Sequence, residues 1–79
     1  MNSASPSLKL AAQHELANRH ANELDDLARK MADLAERMQC APLNAEMSRH
    51  AAELAGASQV AAGWAKRIRA EVDYQCSKL

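Results

Sequence analysis

Phenylalanine is missing from this chain, and one tryptophan (Trp64), one tyrosine (Tyr74), two glycines and two prolines are all it holds of the residues that anchor sheets or punctuate loops. So few aromatics and breakers argue against a strand-and-turn architecture, which needs aromatic and β-branched strands separated by Gly- or Pro-bearing turns. Two cysteines, Cys40 and Cys76, are too few for a disulfide framework, and both are expected as reduced thiols. Charge of either sign is not in excess: ten bases balance ten acids. A nucleic-acid partner, which calls for a clear basic surplus, is therefore not expected. No apolar run approaches the ~18 residues of a membrane span, and the opening Met1-Asn2-Ser3-Ala4-Ser5 lacks the charged start and apolar stretch of a secretory leader. The expected compartment is the cytoplasm.

Chemistry is equally sparse. His14 and His20 bracket a stretch that superficially resembles a metalloprotease helix, but two ligands on one helical face need a spacing of four residues, and these are six apart. There is no phosphate-cradling glycine loop. His14, His20 and His50 are expected far from both cysteines, so no Cys–His pair should form. The expectation is a protein with no catalytic residues, no metal and no cofactor.

What the chain does have is alanine, leucine and methionine at helical spacing, within an apolar content of 48 %. Residues 1–5 read as a flexible tail. Ser5-Pro6 is a good helix start, with serine as cap and proline at the first helical position. Nothing breaks the pattern until Pro42, which disfavours helical geometry at Ala41. A first helix over about 6–40, a turn over about 41–43 and a second helix over about 44–77 follow, with either Pro42 or Asn44 opening the second. A short connection makes the helices antiparallel neighbours. The fold class is all-α: one domain, a coiled-coil-like two-helix hairpin.

Along the first helix Leu24, Leu27, Met31, Leu34 and Met38 alternate steps of three and four, the signature of a coiled-coil seam, extended backwards by His20, Ala17, Gln13 and Leu10. The second seam runs Met47, His50, Leu54, Ala57, Ala61, Trp64, Ile68 and Val72. Folding one onto the other pairs Leu34 with Met47, Met31 with His50, Leu27 with Leu54, Leu24 with Ala57, Ala17 with Trp64 and Gln13 with Ile68. Large meets small at several layers, which fills an interface without voids. On the rim, Arg37 would lie beside Glu46 and Lys30 beside Glu53. In this reading Trp64 is core, and Leu27 sits in the tightest layer.

Ala21, Ala28 and Ala35 lie beside the first seam, and Ala51, Ala65 and Val72 beside the second, widening the apolar stripe as in a helix bundle. A homodimer forming a four-helix bundle is the simplest way to bury the excess. A second candidate surface is the strip Ala52, Ala55, Gly56, Ala62 and Gly63, smooth enough for another helix to approach, next to Trp64 and a basic cluster of Lys66, Arg67 and Arg69.

The expected function is a non-enzymatic protein-binding module, an adaptor or inhibitor of the kind phages and mobile elements encode, which covers a surface of a larger protein. The stretch Met47-Ser48-Arg49-His50-Ala51-Ala52-Glu53-Leu54 through Ile68, on a short helical hairpin, looks like the small co-chaperones of type III secretion needle subunits. That resemblance implies a helical-repeat chaperone as partner and a needle subunit as client. A structural or DNA-associated oligomer, using Lys66, Arg67 and Arg69, is a further alternative.

Overall fold

A computed structural model describes residues 6–78, with side chains from Leu8 onward. The expected tail over 1–5 and the Ser5 cap lie outside them. Helix α1 spans Pro6–Cys40 and α2 spans Ala45–Ser77. They pack against each other along their length as an antiparallel hairpin, in a rod of 63 × 21 × 14 Å.

The ends of the helices follow from local chemistry. α1 stops two residues short of Pro42, and Asn44 rather than Pro42 opens α2: its backbone is extended and its side-chain Oδ1 accepts from the Met47 N–H at 2.9 Å. That bond satisfies one of the orphan donors of the first turn. At the far end the Lys78 N–H reaches back to the Gln75 carbonyl at 3.2 Å.

The buried seam is the expected one only in part: Leu24, Met31, Met38, Met47, Leu54, Ala61, Ile68 and Val72 lie in it, and the rest of the expected set does not fill it. In α1 the fully shielded residues are Ala21, Ala28 and Ala35, with Leu24, Met31 and Met38 half-buried between them. In α2 they are Ala51, Ser58, Ala61, Ala65 and Val72, with Met47, Leu54 and Ile68 half-buried. These sets alternate steps of three and four, so each helix presents an unbroken heptad stripe, which we letter a (Ala21, Ala28, Ala35; Ala51, Ser58, Ala65, Val72) and d (Leu24, Met31, Met38; Leu54, Ala61, Ile68). Leu27, Leu34 and Trp64, expected in the core, are 51, 43 and 54 % exposed. His20, His50 and Ala57 are exposed too. The seam is rotated by one position of the heptad, and the residues expected to flank it fill it.

The register is also shifted. Gln39 donates to the Ser48 carbonyl at 3.2 Å and accepts from its hydroxyl at 3.2 Å. Arg69 donates to Asn22 Oδ1 at 2.7 Å, and His14 Nε2 lies 2.8 Å from Gln75 Oε1. Each partner on α2 lies roughly two helical turns beyond the expected one. Extending this alignment puts Leu24 level with Ala65, Met31 with Ser58, Ala35 with Leu54 and Met38 with Ala51. Large still meets small, with alanine as the small partner, and the backbones can approach closely. Among the described residues no buried side chain is larger than valine. The buried Ser58 hydroxyl donates to the Ala55 carbonyl of its own helix at 2.6 Å, so it asks nothing of α1.

The expected rim pairs do not form. Arg37 pairs with Asp33 on its own helix, Glu46 with Arg49 and Glu53 with His50. Asp33 and Arg37 are four residues apart with the acid first, the favourable order on one helical face. Asp26 takes Arg29, three residues on, and Asp25 instead reaches across to Arg69 at 2.6 Å.

Candidate interaction surface

In an antiparallel pair, the positions just before a in both helices (g) flank one side of the seam, and those just after d (e) flank the other. The hairpin therefore has two unlike faces.

The e face is polar and self-satisfied. It carries Asp25, Ala32 and Gln39 from α1 and Ser48, Ala55, Ala62 and Arg69 from α2. The cross-helix bonds Gln39–Ser48 and Asp25–Arg69 both join e to e, and Arg69 takes Asn22 as well. A shallow groove on this side is lined by Asp25, Ala28, Arg29, Ala32, Ser58, Gln59 and Ala62.

The g face is open, apolar in its middle and polar towards its ends. It carries Gln13, His20, Leu27 and Leu34 from α1 and His50, Ala57, Trp64 and Glu71 from α2, above the half-buried Leu24, Met31, Met38, Leu54 and Ile68. The three bulky residues Leu27, Leu34 and Trp64 each keep about half their surface in solvent. Pairing within the hairpin does not cover this stripe, and no described residue folds over it.

The nine residues proposed from sequence do not form one patch. Trp64 belongs to the g face. Ala55, Ala62 and Arg69 belong to the e face, where Arg69 is already held by Asp25 and Asn22. Gly56 and Gly63 point away from α1, with Ala52 and Lys66 on the e side of them and Arg67 on the g side. A Cβ added at either glycine would meet nothing within 4 Å, so neither is required by packing inside the hairpin. Gly56, Gly63, Trp64 and Arg67 share a shallow outer groove with Gln59 and Val60.

One constellation was missed. Cys76 Sγ lies 3.4 Å from His14 Nδ1, against the expectation that no Cys–His pair forms. The shifted register is the reason, since it carries the end of α2 to His14. The Gln75 amide is held by donating to Glu71 Oε2 at 3.0 Å, so its Oε1 accepts from His14 Nε2–H. That leaves Nδ1 with a lone pair for the thiol, and the four side chains form a clasp where the helices end. Cys40 and Cys76 are both exposed free thiols.

Among the described residues no group of three or more His, Cys, Asp or Glu is placed to hold a metal ion, and no helix is long and apolar enough to cross a membrane. No family model, curated protein or solved structure matches the chain.

Proposed function

We propose that this hairpin is a non-enzymatic protein-binding module, an adaptor or inhibitor that acts as a homodimer and covers a surface of a larger protein. The observation that supports this is the uncovered g face. A helical pair whose fully buried side chains are nearly all alanine gains little from its own burial, while covering each half-exposed leucine yields about 1 kcal/mol. The bulkiest apolar residues thus stand where a partner, and not the hairpin itself, benefits from them.

The second surface is the outer face of α2 with Ala52, Gly56, Gly63, Lys66 and Arg67, offered to the larger protein. Glycine costs a helix up to ~1 kcal/mol relative to alanine, and nothing inside the hairpin offsets that at Gly56 or Gly63.

Affinity capture from the native host, comparing wild type with Gly56→Leu, tests the reading. Wild type should retain a defined protein that Gly56→Leu loses at least tenfold, while the variant stays helical and melts no lower than wild type because the added side chain points into open space. Equal retention by both proteins would remove the outer strip from the account.

A further inference from the structure

We propose that the g face is covered by a second copy of the chain lying with its turn at the same end, so that α1 of each copy runs along α2 of the other. This rests on the homodimer reading above and assigns the geometry that reading leaves open.

Shape carries the first part. The α1 stripe is bulky at mid-length, with Leu27 and Met31. The α2 stripe is slim there, with Ala57 and Ala61, and bulky to either side at Leu54 and Trp64. Laying α1 on the partner's α2 seats a ridge in a hollow. Laying α1 on α1 and α2 on α2, as turns at opposite ends would require, sets ridge on ridge along one helix pair and hollow on hollow along the other.

Charge carries the second part. The rim of the g face is formed by the residue just before each d position. Towards the turn, the α1 rim is basic, with Lys30 and Arg37, and the α2 rim is acidic, with Glu53 and Glu46. These side chains are exposed, and the ion pairs of Arg37, Glu46 and Glu53 are to neighbours on their own helices. With turns together, the two-fold axis runs along the rod and keeps each residue at its own level, so Arg37 faces the partner's Glu53 and Glu23, further along the same rim, faces the partner's Arg67, each pair made twice. No like charges meet on the rim. With turns apart and the rods fully overlapped, Glu53 and Arg67 fall level with the partner's Tyr74 and Val60, and neither finds an opposite charge.

Cys40 and Cys76 mark opposite ends of the 63 Å rod and are both exposed. A spin label on Cys40 of the Cys76→Ser variant, with distances read by pulsed dipolar spectroscopy, should give a separation of about 30 Å or less, a few helix spacings. A distance near the rod length in a protein that sediments as a dimer would overturn the orientation and leave the dimer standing. A monomer with no dipolar coupling would overturn both. The double variants Glu23→Lys/Arg37→Glu and Glu53→Lys/Arg67→Glu should each dimerise at least tenfold more weakly than wild type, and mixing them should restore a heterodimer, since both rims are again complementary. A mixture as weak as its components would contradict the assignment.

Discussion

The two stripes of this hairpin differ in a way that inverts the usual expectation. The buried one is built from alanine, with one serine and one valine. The uncovered one holds Leu27, Leu34 and Trp64. Hydrophobicity alone would bury the second. Two helices, however, are stabilised by joint fit: alanine lets the backbones come close, and the half-buried Leu24, Met31, Leu54 and Ile68 close over the alanines from one side. The bulky stripe would hold the same helices further apart and leave gaps at the alanines. A wide apolar surface divided between a slim seam and a broad one is the pattern of a bundle helix with two neighbours.

Adjacent residues on α1 should therefore respond in opposite ways. Ala28→Leu overfills the slim seam and should destabilise the hairpin by about 1–3 kcal/mol, read as a lower melting temperature by circular dichroism. A melt equal to wild type would place the seam elsewhere. Next in size is Asn44→Ala, which removes the bond to Met47 at the start of α2 and should cost about 1 kcal/mol. It sharpens the comparison because it weakens the hairpin without touching either stripe, so any change in self-association must come through folding alone. Smallest is Gly63→Ala, which belongs to neither stripe and should stabilise α2 by up to ~1 kcal/mol, since its Cβ enters open space. A destabilised Gly63→Ala would reveal packing on the outer face.

The hairpin and the turn at Pro42 were legible in the sequence because each rests on local chemistry, helical spacing and a proline's effect on its neighbour; the Asn44 cap was one of two openings the sequence allowed, and the structure decides between them. Which stripe is buried was not. Ala21, Ala28 and Ala35 repeat as regularly as Leu27 and Leu34, and periodicity read for bulk favours the leucines. The choice is made by how two helices fit together, which neither helix states alone. The register failed with it, because pairing large with small was satisfied by two alignments. The clasp of His14, Cys76, Gln75 and Glu71 went unseen for that reason: its members meet only in the alignment the structure adopts. The exposed position of Trp64 followed from the same choice, since as a lone aromatic at seam spacing it reads as core.

The most direct test is the melting of Leu27→Asp beside wild type at two well-separated protein concentrations. If the leucine stripe lies between copies, wild type melts higher as concentration rises, by mass action. Leu27→Asp then remains helical, melts cooperatively at a temperature independent of concentration, and sediments as a monomer. A Leu27→Asp protein that is unfolded at every concentration would put Leu27 inside the hairpin and contradict the account.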